Sequence, residues 1–289
     1  MRQDSNLKRL SRFTDFIVER HSIYKQRQDG LPPPWTKDPI LQNYRFCNVY
    51  RELDTVTVWV YNWLKEHEGH KNVWFAAAMA RCINWPPTLE AIGFPKTWNP
   101  ARARKIMLER EAAGEKVYTG AYMLRGAEYS KDSTDPRDKA HYTVFRILDP
   151  LYKNKVMPGA FETLESYHQR LMQNQGLGSF LAAQIIADLK FTPLLSGAND
   201  WLTFAAPGPG SARGLNRVLG RDKNSPWNLA EWRSELEDLR DKLNPLLDLV
   251  PMKHLCAQNL QNCLCEFDKY ERVRLGEGKP RSRYNGKGE

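Results

Sequence analysis

The sequence of 289 residues lacks the features that mark several broad classes of protein. Its five cysteines form an odd and scattered set, which is typical of reduced thiols rather than of a disulfide framework. No apolar run approaches about eighteen residues, and the N-terminal stretch MRQDSNLKRLSRF has no signal-peptide core. We therefore expect a cytoplasmic protein with no membrane partner. A GxxxxGKS/T loop is also absent, which argues against kinase chemistry.

Positive charge and aromatic side chains are abundant in the chain. Lysine and arginine number 43 against 34 aspartates and glutamates, which makes the net charge +9 and the isoelectric point about 9.3. This balance favours a polyanionic partner. The 9 tryptophans, 12 tyrosines and 11 phenylalanines suit both core packing and stacking on bases. Part of the charge lies in residues 272–287, so it supports a nucleic-acid partner without locating the binding site.

The most informative stretch runs from residue 175 to residue 220. Residues 161–174 place apolar side chains on one helical face, and a GLGSFLA turn then opens a second apolar helix. This order predicts a helix-hairpin-helix. The glycines allow a sharp turn close to a nucleic-acid phosphate, and the second helix directs its N–H groups at the anion. We predict DNA contacts at Gly176, Gly178 and Ser179, and the alternative is an ordinary helical hairpin.

Asp200 follows the hairpin, twenty-two positions after Gly178. In this respect the sequence resembles the helix-hairpin-helix DNA glycosylase superfamily, whose members place a catalytic aspartate about twenty residues beyond the hairpin, at the mouth of a pocket for a flipped base. The resemblance implies that Asp200 is catalytic. Members that form a Schiff base carry a lysine where this chain has Phe180, so lyase chemistry is not expected. The alternative role for Asp200 is to cap a helix directly downstream.

A second glycine-rich turn, PGPGS, leads into the segment ARGLNRVLG. Ser211 and Gly220 fit the N-cap and the C-terminal stop of a short helix. Arg213 and Arg217 are four residues apart and share one face, with Asn216 beside them. These residues, with Ser211 at the helix start, predict a grip on phosphate or on a flipped base. Solvated arginines on a surface helix are the alternative.

Polar residues interrupt the apolar and aromatic segment 44–63, which predicts one long helix. Asn48, Arg51 and Glu52 fall on one face of such a helix, and Asp54 lies close by. Buried polar groups need partners. These four residues therefore either form an ion-pair network in the core or line the base pocket.

Four separated segments, taken in order, resemble one narrower family. They read PWTKDPIL with YRFCNVYRELDTVT, then GLGSFLAAQIIADL, GPGSARGLNRVLG and LCEFDKYERV. The set is similar to the α-glutamyl/putrescinyl thymine pyrophosphorylase family, which is related to the helical domain of 5-hydroxymethyluracil DNA kinases. Some members resemble transferases that install amino groups on an activated 5-hydroxymethyl pyrimidine in DNA. Others act as antiphage glycosylases that excise modified bases.

Periodicity and resemblance together predict a mainly α protein with a helix-hairpin-helix DNA glycosylase-like fold. We expect one helical unit over residues 1–273, with the hairpin and catalytic segment at 160–220, and a basic disordered tail over 274–289. Residues 116–124 (KVYTGAYML) predict a small β-hairpin insertion. Some superfamily members hold an iron–sulfur cluster on four C-terminal cysteines. Only Cys256, Cys263 and Cys265 occur here and no CxxC pattern is present, so neither a cofactor nor a metal is expected.

The expected function is that of a monofunctional DNA glycosylase in antiphage defence. It would excise a 5-hydroxymethyl-derived or glycosylated pyrimidine from phage DNA and leave an abasic site. Asp200 would stabilise positive charge on the sugar or activate water once the base is flipped. The alternative is a transferase that replaces pyrophosphate on activated 5-hydroxymethyluracil in DNA with an amine or amino acid. A non-catalytic DNA-binding module is the third possibility, and no obligate protein partner is inferred.

Overall fold

The computed structural model describes residues 2–119 and 139–280. The described residues form helices and no β-strand, which confirms a mainly α fold. The β-hairpin predicted at residues 116–124 extends beyond the described residues, and residues 116–119 are irregular. In the described part of the chain, no helix is both long and apolar enough to cross a membrane.

The helices are numbered in chain order. They are α1 (Arg2–Gln28), α2 (Pro39–Asn43), α3 (Thr55–Lys65), α4 (Val73–Ile83), α5 (Pro86–Ile92), α6 (Pro100–Ala112), α7 (Lys139–His141), α8 (Asp149–Lys153), α9 (Leu164–Met172), α10 (Ser179–Leu189), α11 (Pro209–Leu219), α12 (Leu229–Leu247) and α13 (Ala257–Arg274). A 3-10 turn occupies Arg51–Leu53, and a π-helical segment occupies Tyr142–Leu148.

The chain divides into two compact units. The first is formed by Met1–Thr55 and Leu202–Glu289, and the second by Val56–Trp201. The first unit is therefore built from the two ends of the chain and contains α1, α2 and α11–α13, whereas the second begins within α3 and ends after α10. A single glycosylase-like unit over residues 1–273 stays a prediction.

Two glycines let α11 and α13 pack closely in the first unit. A Cβ atom at Gly214 would lie 2.1 Å from the carbonyl oxygen of Leu264, and one at Gly210 would lie 2.5 Å from the sulfur of Cys265. A larger side chain at Gly214 would push the helices apart, and one at Gly210 would displace the Cys265 side chain. Fully buried side chains form the core of this unit, among them Phe13, Ile17, Trp232, Leu243 and Leu260.

A buried ion pair joins α4 to α10 in the second unit. Nε of Arg81 donates to Oδ2 of Asp188 at 2.5 Å, and Nη2 pairs with the other oxygen of the same carboxylate. Both side chains are at most 2% exposed. Arg81 also donates to Asn84 and Thr57, so its charge is well solvated by protein groups. This network sets the position of α10, the second helix of the hairpin.

Substitution of Gly214 by alanine is expected to lower the free energy of unfolding by about 1–3 kcal/mol, because the new methyl group would overlap a backbone carbonyl that no side-chain rotation can move. The matched control is Gly208→Ala, where a Cβ atom meets nothing within 4 Å. We expect the control to change stability by less than about 1 kcal/mol. Urea unfolding of both variants checks this, and equal effects would contradict the helix-approach explanation.

Candidate functional site

The structure contains the predicted hairpin, formed by α9, a turn at residues 173–178, and α10. Gly176 has a φ of +78°, and a Cβ atom there would lie 2.6 Å from the side chain of Ile147, so both backbone and packing require glycine. Gly178 is exposed and is the N-cap of α10, without a side-chain hydrogen bond. The start of α10 is therefore compatible with a phosphate. DNA contacts at Gly176, Gly178 and Ser179 stay predictions.

The Asp200 carboxylate binds the first helix of the hairpin. Its two oxygens accept hydrogen bonds from the backbone N–H groups of Leu164 and Glu165, at 2.8 and 2.9 Å. These residues begin α9, whose positive end stabilises a negative charge, and Thr163 supplies the N-cap of the same helix. The alternative role, a cap on a helix directly downstream, is wrong, because residues 201–203 form a turn. Asp200 caps a helix that precedes it by 36 positions.

A reciprocal contact closes the loop that carries Asp200. Nζ of Lys190, just after α10, donates to the carbonyl oxygen of Trp201 at 3.1 Å, and the indole N–H of Trp201 donates to the carbonyl oxygen of Lys190 at 2.8 Å. Nζ also lies 3.7 Å from the centre of the Trp201 ring, a cation–π contact. The two ends of the loop are thus held together. The sequence signal for this contact is a lysine directly after an apolar helix.

The predicted base-pocket residues lie in a loop, and the prediction of one helix over residues 44–63 is wrong. Residues 45–50 are not helical, a single 3-10 turn follows at Arg51–Leu53, and α3 begins at Thr55. The reason is tertiary. Backbone groups that a helix would pair internally bond instead to side chains of α13.

One face of α13 holds the backbone of residues 47–54, which we call the anchored loop. Positions 259, 262 and 266 recur at helical spacing, and this polar stripe beside the apolar positions of an amphipathic helix is the sequence signal for the contact. Asn259 also donates to Glu52 at 3.2 Å. The backbone contacts are Glu266 with the N–H of Cys47 (3.0 Å), Asn262 with the carbonyl oxygen of Asn48 (3.1 Å) and Asn259 with the N–H of Arg51 (3.1 Å).

Asp54 is the carboxylate at the end of the anchored loop. It accepts the N–H of Asn48 at 2.9 Å, and the Asn48 amide donates to the carbonyl oxygen of Leu53 at 2.8 Å. Burial raises the pKa of Asp54 despite the opposing effects of this hydrogen bond and of Arg51 and Arg20. A desolvated carboxyl of this kind is suited to proton transfer. The loop residues therefore form a polar network, and their role in a base pocket stays a prediction.

Helix α11 ends as predicted but starts differently. Gly220 ends it with a left-handed φ of +71°, whereas the N-cap is Gly208 and not Ser211. Ser211 is fully buried and exchanges hydrogen bonds with the backbone of Gly208 at 2.9 and 3.0 Å. Asn216 is 1% exposed and donates its amide to two loop carbonyl oxygens. DNA contacts at Ser211 and Asn216 would require those bonds to be exchanged, and they stay predictions.

Arg213 and Arg217 converge on the buried carboxylate of Asp268 in α13. Their Nε atoms donate to its two oxygens at 2.9 Å each. Arg217 also donates to Glu277 at 2.6 Å, and this hydrogen bond with a second from Lys223 lowers the pKa of Glu277 to about 2. Contacts therefore continue into the predicted tail, of which residues 281–289 lie outside the described part. Phosphate contacts by the two arginines stay predictions.

The cysteines with a shifted pKa are not reactive thiolates. All five are free thiols. Burial raises the pKa of Cys82 to about 12 and that of Cys265 to about 11, which disfavours the nucleophilic thiolate. Over residues 2–119 and 139–280, no group of three or more His, Cys, Asp or Glu side chains is arranged to hold a metal ion.

Comparisons with known proteins identify similar sequences. The family model described as "5-hmdU DNA kinase, helical domain" matches residues 8–280. A curated relative, the 5-hmdU DNA kinase of Bacillus phage SP10, is 27% identical over 224 residues, which are 70% of this chain and 35% of the relative. The chain thus spans about a third of that relative's length. No solved structure gave a significant match.

Replacement of Asp54 by asparagine is expected to raise the free energy of unfolding at neutral pH, because it removes a desolvated charge and keeps an oxygen to accept the Asn48 N–H. Because its pKa is raised in the folded protein, Asp54 contributes stability at pH values below its unfolded pKa of 3.8. This contribution is lost as the pH rises through the higher pKa of the folded state. The variant should therefore lose less stability than the parent between about pH 4 and pH 7.

Urea unfolding across this pH range measures the difference. Asp241→Asn, at a carboxylate that is 66% exposed, is the matched control and should follow the parent's pH profile. A larger loss of stability in Asp54→Asn than in the parent would contradict the explanation.

Proposed function

The chain belongs to the family described as the helical domain of 5-hmdU DNA kinases, and from this premise we propose that it acts on a 5-hydroxymethyl-derived pyrimidine in phage DNA. The proposed reaction is excision. The modified base is flipped out of the DNA and its N-glycosidic bond is hydrolysed, which leaves an abasic site. The proposed setting is antiphage defence in the cytoplasm. The phage origin of the relative and its description as a 5-hmdU DNA kinase support the substrate class, whereas excision rests on the arrangement at Asp200.

One observation carries the proposal of excision. The Asp200 carboxylate is fixed at the N-terminus of α9, the first helix of the hairpin. Two backbone N–H groups orient it, one on each of its oxygens. A negative charge oriented in this way can stabilise the positive charge that develops on deoxyribose as the glycosidic bond breaks.

The proposed reaction is a hydrolysis of the glycosidic bond, in which water is the second reactant. DNA phosphates dock at the start of α10 and the target base leaves the stack. As the C1′–N1 bond breaks, its electron pair goes to the base, Asp200 stabilises the sugar cation, and a water oxygen adds to C1′. The base leaves with a proton from water. Phe180 stands where a Schiff-base lysine is found in bifunctional glycosylases, so the DNA strand is expected to stay intact at the abasic site.

Transfer to the 5-CH2 carbon is the second candidate, and the raised pKa of Asp54 favours it. A carboxylate of increased basicity can take the proton from an amine that attacks an activated 5-hydroxymethyl carbon. In that reaction a C–N bond forms, the bond from the carbon to the pyrophosphate oxygen breaks, and the glycosidic bond is kept. The two candidates therefore differ in product. Excision releases a free base, whereas transfer makes a new nucleoside within the DNA.

Replacement of Asp200 by asparagine is expected to reduce base release by about 100-fold or more, because the charge that stabilises the transition state is lost. The purified chain would be incubated with phage DNAs bearing canonical, hydroxymethylated, glycosylated and amino-substituted pyrimidines, and released bases identified by mass spectrometry. Thr163→Ala is the matched control. It also weakens the N-terminal cap of α9, by about 1 kcal/mol, yet it keeps the carboxylate, so base release should stay near the parental rate.

The outcomes separate the candidate functions. Parental base release by Asp200→Asn would remove Asp200 from the mechanism, and an absence of release from every DNA would overturn excision. Transfer would be supported by a new amine-substituted nucleoside, formed from pyrophosphorylated hydroxymethyl-DNA and an amine and lost in Asp54→Asn. Normal DNA binding without either product would point to a non-catalytic binding module.

A further inference from the structure

The carboxylates on α13 and just beyond it form ion pairs with basic side chains that outnumber them. Asp268 is at the centre of this cluster, and its side chain is only 1% exposed. A buried carboxylate of this kind needs cationic partners. Three arginines contact it: Arg213 at 2.8 Å, Arg217 at 2.9 Å and Arg272 at 3.5 Å.

Glu271 and Glu277 extend the cluster on the same unit. With Asp268 they make three carboxylates in contact with six different basic side chains, which leaves an excess of three positive charges in this group. The additional contacts are Arg274 (2.7 Å) and Arg12 (3.8 Å) with Glu271, and Arg217 (2.6 Å) and Lys223 (2.9 Å) with Glu277.

The outer cations of the cluster keep donors for a further anion. The side chains of Arg12, Lys223 and Arg272 are 45%, 38% and 36% exposed. A guanidinium has five N–H donors and an ammonium has three, and one ion pair occupies only part of them. The exposed side of the cluster can therefore bind another negative group without breaking the internal pairs.

A crevice of about 200 Å³ opens among these side chains, where residues of α1, α11 and α13 meet. Its lining includes Arg9, Arg12 and Arg217 together with the apolar side chains of Phe267 and Leu275. Glu271 is the one carboxylate in the lining, and the arginines in contact with it neutralise its charge. Arginines beside apolar surface fit a phosphodiester, in which an anionic phosphate is joined to an apolar sugar.

We propose that this surface, formed by the six basic side chains and the crevice, binds the phosphodiester backbone of DNA. A polymeric phosphate fits because the excess charge extends beyond the crevice to Lys223 and Arg272, which do not line it. One small anion would fill the crevice and leave those outer cations uncompensated. The inference rests on the proposed function in taking DNA as the substrate, and it assigns a docking surface that is independent of Asp200.

The test removes charge without leaving a carboxylate unpaired. In the triple variant Arg12→Gln, Lys223→Gln, Arg272→Gln, each carboxylate keeps a closer arginine. The control triple Lys37→Gln, Lys242→Gln, Lys253→Gln removes the same charge from exposed lysines elsewhere on the same unit. Binding to a DNA duplex without modified bases is measured by fluorescence anisotropy over a series of salt concentrations, with thermal unfolding to establish that both variants fold.

The basic-surface triple is expected to bind DNA at least about tenfold more weakly at low salt and to reduce the slope of log K against log salt by about 2–3, since each lost phosphate contact removes about 0.9. The control should keep the parental slope. If both triple variants weaken DNA binding equally, or if the basic-surface triple keeps the parental salt slope, the proposal of a DNA-binding surface is overturned. A third result would also overturn the proposed DNA-binding surface. If inorganic phosphate or pyrophosphate competes for the crevice while the triple variant binds DNA as tightly as the parent, the crevice is a site for a small anion.

Two further readouts complete the test. If the triple fails to fold, Arg272→Gln alone should reduce the salt slope by about 0.9, and an unchanged slope overturns the proposal. Loss of salt-dependent binding in the triple, together with no base release by the parent, overturns excision and supports the surface. If the parent releases base and the triple variant binds DNA with parental affinity, excision is supported and only the proposed DNA-binding surface is overturned.

Discussion

The close approach of α11 to α13 is the contact on which the first unit depends. Glycines at 210 and 214 allow the two backbones to meet, since a Cβ atom at Gly214 would overlap the carbonyl oxygen of Leu264. The approach brings the arginines of α11 within hydrogen-bonding distance of Asp268. A different set of α13 side chains holds the anchored loop. One helix therefore positions both the basic cluster and the loop that carries Asp54.

The two candidate carboxylates are held in opposite kinds of environment. Asp200 accepts two backbone N–H bonds at the positive end of α9, which stabilises a negative charge. Asp54 accepts one backbone N–H and is desolvated, so its pKa is raised. The first environment suits charge stabilisation and the second suits proton transfer. Excision and transfer make different use of these two properties, which is why both reactions remain candidates for this fold.

Local patterns predicted local features well. The Gly-apolar-Gly turn between two helices was recognisable because positive φ and close packing at Gly176 require glycine. The end of α11 was recognisable for a similar reason at Gly220. The glycine-rich sequence around the second turn did not indicate that Gly210 and Gly214 lie against α13. Small residues that permit a helix contact and small residues that permit a ligand contact have the same appearance in sequence.

The sequence alone determined those features that depend on composition or on residues a few positions apart. They are the helical content, the hairpin turn, the net positive charge and the lack of a kinase phosphate loop. Only the tertiary structure decided which groups meet. Asp200 caps a helix 36 positions earlier, and Glu266 holds the N–H of Cys47 across 219 positions. The segment 45–50 is non-helical for the same reason, since its backbone finds partners on a distant helix that local periodicity does not reveal.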